Sequence, residues 1–178
     1  MKNRTRWLTV TALGIALFVI FSLALRIPVF ARFYLCLGYL VMGVYCYYFG
    51  IWSGTLVGSI GVLIYCTIFS SFGGMIGWAL GNVVIGIAMG FTAKKTRKLK
   101  AAWLRWVLLL IAAVASTAVG MLLIKSAYES LLSGLPFFVR VAANTAGFLA
   151  DAAVLMLSVP LAESLRKVIF KQFGDLCV

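Results

Sequence analysis

No Asp, Glu, Lys or Arg stands between Arg32 and Lys94, and glycines are threaded through this uncharged run of aromatic and aliphatic residues. One crossing of a bilayer core takes about 20 apolar residues, so the run is long enough for three crossings and too apolar for a water-soluble domain. Its glycines recur every fourth residue: Gly50, Gly54 and Gly58 on one ridge, Gly77 and Gly81 on a second, Gly86 and Gly90 on a third. Small residues at that spacing let helix backbones approach closely, which is how helices associate in lipid, where apolar burial alone gives no drive. Two readings of the spacing stand side by side: ordinary helix packing, and a tight, aromatic-lined bundle that holds a small molecule.

The rest of the chain agrees. Of 178 residues, 64% are hydrophobic and 11% charged, with mean hydropathy +1.11, which identifies a polytopic membrane protein with no room for a soluble catalytic domain. A net charge of +12 would suggest nucleic acid in a soluble protein, but here the basic residues flank apolar segments, where they orient helices and meet anionic lipid. Three of the four cysteines, Cys36, Cys46 and Cys66, lie inside apolar runs and Cys177 near the C-terminus, with no CxxC pair. The absence of histidine removes the commonest general base and metal ligand. The N-terminal stretch resembles a signal peptide without a cleavage site and reads as a retained first membrane helix.

These features predict an all-α integral membrane protein, a single transmembrane domain over 1–178. Six helices form a compact bundle, at about 8–25, 33–49, 51–69, 75–92, 103–124 and 137–161. The stretch Ser126–Pro136 is expected as a loop or interfacial turn, and the alternatives to six helices are five helices or a re-entrant element at Ser70–Gly74. With the N-terminus inside, Lys2, Arg4, Arg6, the five basic residues of 94–100, Arg105, Arg166, Lys167 and Lys171 are cytoplasmic. Arg26, Arg32, Lys125 and Arg140 are left outside, twelve basic residues against four. That bias predicts cytoplasmic N- and C-termini.

Helix six carries ionisable groups at its outer end and within its apolar body: Arg140, Asn144, Gly147 and Asp151, at spacings that share one helix face. A carboxyl group inside the membrane faces protein or a cavity. Asp151 is therefore either a packing residue, hydrogen-bonded for instance to the Asn82 amide, or a support beneath a ligand met by Arg140 and Asn144. Arginine suits carboxylate or phosphate, because its planar fork gives two parallel charge-assisted bonds. Arg26 and Arg32, among Pro28, Phe30, Phe33 and Tyr34, either cover an external pocket or belong to an interfacial anchor belt. Tyr39, Tyr45, Tyr47, Tyr48 and Trp52 are too many for a lipid-facing surface, so some of them point inward. No catalytic constellation, metal-ligand cluster or ATP-binding loop is present in the sequence, so no enzymatic activity or cofactor is expected, and any transport draws its energy from a partner.

These residues resemble the substrate-binding S-components of energy-coupling factor (ECF) vitamin transporters. The likeness rests on the small six-helix plan, Ala12-Leu-Gly-Ile-Ala16 in helix one, FGIWSGTLVGSIG entering helix three, the basic loop after helix four, and NTAGFLADAAVLMLSVP in helix six. It implies a multi-pass protein of a bacterial plasma membrane. Ala12 and Ala16 would dock on a transmembrane T-component that two cytoplasmic ATPases drive, and the binding protein would topple in the membrane to deliver its vitamin inward. The family's pocket lies near the outer surface, which implies Arg26, Arg32, Asn82, Arg140 and Asn144 as ligand contacts. Motifs associated with the riboflavin and biotin members do not stand out, and the absence of histidine argues against nickel and cobalt. The outer arginines favour an anionic vitamin, pantothenate first, then folate or cobalamin. The competing class is a membrane scaffold similar to the rod-shape-determining membrane proteins, with no transport role.

Overall fold

The apolar segments fold as helices because a backbone without water to bond must satisfy its N–H and C=O groups internally. The computed structural model describes residues 2–24, 28–30, 33–68 and 72–177. In chain order these form α1 (Lys2–Ala24), a two-stranded antiparallel hairpin of β1 (Pro28–Phe30) and β2 (Phe33–Tyr34), α2 (Gly38–Tyr48), α3 (Gly50–Ile68) and α4 (Phe72–Thr96). Then come α5 (Ala102–Thr117), a π-helical segment (Ala118–Lys125), α6 (Ser126–Ser133) and α7 (Phe137–Phe173). Both termini lie at one end of the bundle, where Arg6 bonds Asp175 and the carbonyl of Gln172. That end is called the near end and the opposite one the far end.

The all-α membrane bundle stands, with two departures from the sequence expectation. Five helical stretches among the described residues are long and apolar enough to cross a membrane: Arg4–Ala24, Gly50–Ile68, Met75–Thr96, Ala102–Ser133 and Phe137–Phe173. The second expected crossing is shorter, because the hairpin takes up Phe33 and Tyr34 and leaves α2 with 11 residues, about 16 Å of helix. The expected loop after Ile124 is also helical, so α5, the π segment and α6 run on as one rod before Gly134 ends it in the left-handed conformation (φ 68°). The expected turn at Ser70–Gly74 lies partly outside the described residues, and Phe72 already belongs to α4.

Short α2 is the central pillar. Every residue of it except Leu40 is buried, and a helix enclosed on all sides carries no polar face. Its tyrosines reach outward into the bundle and tie it to three helices. Tyr39 donates to Asn82 on α4 (2.7 Å), Tyr45 to the Val10 carbonyl on α1 (2.9 Å), and Tyr48 to the Ala162 carbonyl on α7 (2.7 Å). Tyr47 donates to Glu163 (2.9 Å), which also takes a 2.5 Å ion pair from Arg105. Trp52, by contrast, is exposed. Between α2 and α3 the chain reverses at Gly50, whose φ of 83° suits only glycine without strain.

The glycine ridges are helix contacts. Gly86 and Gly90 of α4 lie on the backbone of Thr55 and Ile51 in α3. At Gly81 and Gly120, α4 and the π segment cross so closely that a Cβ on either glycine would come within 2.6 Å of the other's carbonyl oxygen.

Candidate functional site

At the far end the polar residues converge in two linked groups. The first grows from the end of the α5 rod. Lys125 and Glu129 are one α-turn apart, both nearly buried and 3.7 Å apart. Asn144, buried on α7, completes the group: its Oδ1 accepts from Lys125 Nζ (2.8 Å), and its Nδ2 donates to Glu129 Oε2 (2.9 Å) and Ser126 Oγ (3.1 Å). All of this sits just after the π segment, a rare helical form that recurs at functional sites. Its wider turn changes which face of the rod Lys125 occupies.

The second group centres on Tyr39. Its hydroxyl donates to Asn82 Oδ1 and accepts from Trp78 Nε1 (2.8 Å), while Asn82 Nδ2 donates to the Gly58 carbonyl (2.9 Å). Asp151 is buried on α7 two turns along from Asn144. In place of the expected bond from Asp151, the Asn82 amide bonds the Gly58 carbonyl and the Tyr39 hydroxyl. Aromatic rings flank these groups. Lys125 Nζ lies 5.7 Å from the Trp78 ring centre, and Tyr65 meets Trp78 edge to face at 6.0 Å.

Of the residues expected from sequence, Asn82 and Asn144 are thus linked through Tyr39, Trp78 and Lys125. Arg140 stands apart at the α6–α7 corner, its Nε donating to Ser133 Oγ (3.1 Å). Arg26 and Arg32 lie outside the described residues, though β2 rests against α7 beside them in sequence. Ala12 and Ala16 are both exposed on α1, beside exposed Leu8, Leu13 and Ile20. Sequence reasoning missed Lys125, Glu129, Ser126 and Trp78. The available signal was the Lys125 and Glu129 spacing of four at the end of an apolar stretch, which pairs opposite charges on one helix face.

A separate polar cluster closes the near end. Arg105 and Tyr47 both donate to Glu163, and the Arg97 guanidinium lies 5.4 Å over the Tyr47 ring. Burial lowers the Arg97 pKa from the ordinary arginine value.

A bundle with a polar, aromatic-walled network at one end and its basic residues gathered at the other has the plan of a small-molecule binding protein in a membrane. A family model described as "ECF-type riboflavin transporter, S component" matches residues 2–167. The chain belongs to this family. The match spans almost the whole S-component, although no short motif of the riboflavin members stood out. No curated protein matches it by sequence. Among solved structures, the S-component for biotin from an ECF-type ABC transporter is similar to this one, with a TM-score of 0.61, 18% identity and 93% of each chain covered. At that identity the likeness shows the fold. The family match removes the ground for a scaffold without a transport role.

Proposed function

We propose that this S-component captures riboflavin, or a close flavin relative, at the far end of the bundle. It delivers the vitamin inward when docked on a T-component driven by two ATPases. The observation that carries the reading is the Lys125–Glu129–Asn144 network beside Trp78 and Tyr65, in a chain matched over residues 2–167 by a riboflavin-type family model. A flavin is planar, uncharged and rich in carbonyl, ring-nitrogen and hydroxyl groups. Aromatic walls suit its ring, and a lysine, an asparagine and a carboxylate supply both donors and acceptors for its polar edge and side chain. An anionic vitamin such as pantothenate finds less support. The charge of Lys125, the cation inside the network, is offset by Glu129 at 3.7 Å, and Arg140 turns to Ser133. Asn82 and Asp151 hold the packing below the ligand, and Asn144 contacts it.

In this reading the near end, with twelve of the sixteen basic residues, faces the cytoplasm of a bacterial cell, as the positive-inside rule requires. The exposed Ala12 and Ala16 of α1 form the docking face, since small side chains allow close, reversible helix packing. The test is native mass spectrometry of the gently purified chain, followed by denaturation and identification of the released molecule. Riboflavin in the released fraction, with quenching of its fluorescence on rebinding, is the expected result. Release of a different vitamin, or no quenching by added riboflavin, would overturn the substrate.

A further inference from the structure

α1 and α7 are pinned together at the near end and spread apart over α2. The pin is Arg6, whose Nη1 bonds Asp175 and Nη2 the Gln172 carbonyl, both at 2.6 Å, and whose guanidinium lies 5.8 Å over the Phe173 ring. Above it lies a groove of about 330 Å³, with Val41 and Val44 of α2 as floor, Leu13 and Leu17 of α1 on one side and Leu161 and Leu165 of α7 on the other. Its one hydroxyl, that of Tyr45, is spent on the Val10 carbonyl, so the groove offers nothing to a polar ligand.

We propose that this groove holds one acyl chain of an anionic phospholipid, with the lipid phosphate at Arg6. The dimensions and charges suit that occupant. From Val10 to Phe21 along α1 the groove is about 17 Å long, close to the roughly 15 Å hydrocarbon depth of one leaflet. Arg6 stands one helical turn below Val10, at the mouth. Its bond to Asp175 is half exposed on both sides, and an exposed pair of that kind holds weakly. A phosphate, which takes two parallel bonds from a guanidinium, can take the place of Asp175. At the near end twelve basic residues face only Asp175 and Glu163, and Glu163 is bound to Arg105, so the mouth attracts anions over zwitterions.

The experiment uses the full chain in nanodiscs containing phosphatidylglycerol with a photoactivatable diazirine on one acyl chain, and a matched phosphatidylcholine probe. Cross-linked residues are mapped by mass spectrometry. The glycerol probe is expected to label Leu13, Leu17, Leu161 and Leu165 in preference to exposed Ile87 and Ile111 on other faces. It should exceed the choline probe there by about fivefold, the worth of one basic residue at an anionic surface. In Arg6→Gln that excess should vanish while unfolding temperature is kept. Even labelling of all lipid-facing surfaces would overturn the proposal and leave the groove to a protein helix. Equal labelling by the two probes, or an excess that survives Arg6→Gln, would overturn the assignment of the phosphate.

Discussion

Lys125 is the residue on which the far-end network turns, because it neutralises one carboxylate, bonds one amide and lies beside the Trp78 ring. Lys125→Met removes the cation and keeps much of the bulk, so Glu129 loses its counter-charge in a poorly hydrated place. Breaking one side of a buried pair costs about 3–5 kcal/mol, and thermal unfolding in detergent should show a loss at the lower end of that range, since the pair is not fully sealed. Adding Glu129→Gln to that variant should restore part of the lost stability, because the two residues are coupled. If the double variant is as unstable as the sum of the single ones, Lys125 and Glu129 do not act as a pair. Asn144→Ala tests binding instead: riboflavin affinity should fall by more than about tenfold, as expected when two or more hydrogen bonds to a polar group are lost, and unchanged affinity would remove Asn144 from the site. Asn82 and Asn144 could be picked out in the sequence because an amide in an apolar helix must have a partner. Their partners could not, since Tyr39 lies 43 residues from Asn82 and Lys125 lies 19 from Asn144. Arg140 was conspicuous for its charge, yet its guanidinium is turned to the chain's own α6–α7 corner.

Among the helices, the crossing of α4 with the π segment sets how closely the far-end groups can approach. A Cβ at Gly120 would meet the Gly81 carbonyl oxygen at 2.6 Å and the Ile85 side chain at 2.9 Å, and a backbone oxygen has nowhere to move unless the helices separate. Gly120→Val should therefore lower the unfolding temperature and weaken riboflavin binding together. Gly134→Ala meets no neighbouring atom and bears only the left-handed backbone, about 1–2 kcal/mol, so it should lower stability and spare affinity. Equal effects of the two on binding would separate the crossing from the site. Helix existence was readable from the sequence because lipid leaves the backbone few alternatives. Two helix limits were not. Ser, Gly and Pro around 126–136 signal a turn, yet tertiary packing of Ser126 and Glu129 on Asn144 continues the rod to Ser133. Near residue 33 the aromatic run suits strand and helix alike, and a hairpin took the first residues assigned to the second helix.

At the scale of the whole molecule, the far-end network proposed for binding and the Ala12–Ala16 face proposed for docking are held on different elements, so the proposal predicts that binding and delivery can be broken separately. Ala12 is exposed, and a tryptophan there has room in the isolated chain, whereas in a close helix pair its bulk would hold the partner backbone away. Ala12→Trp should keep riboflavin affinity and unfolding temperature within error. It should also abolish vitamin uptake in cells that supply the T-component and ATPases, together with co-purification of those partners. The orientation can be read in the same cells with a membrane-impermeant thiol reagent: Leu131→Cys, at the far end and highly exposed, should react from outside, and Lys98→Cys, near the basic end, only after lysis. Both results are needed. If Ala12→Trp supports normal uptake while Leu131→Cys reacts from outside, the bundle is oriented as proposed and the partner docks on another face. If Leu131→Cys is protected until lysis, the far-end network faces the cytoplasm, and capture from outside is excluded whatever Ala12→Trp does.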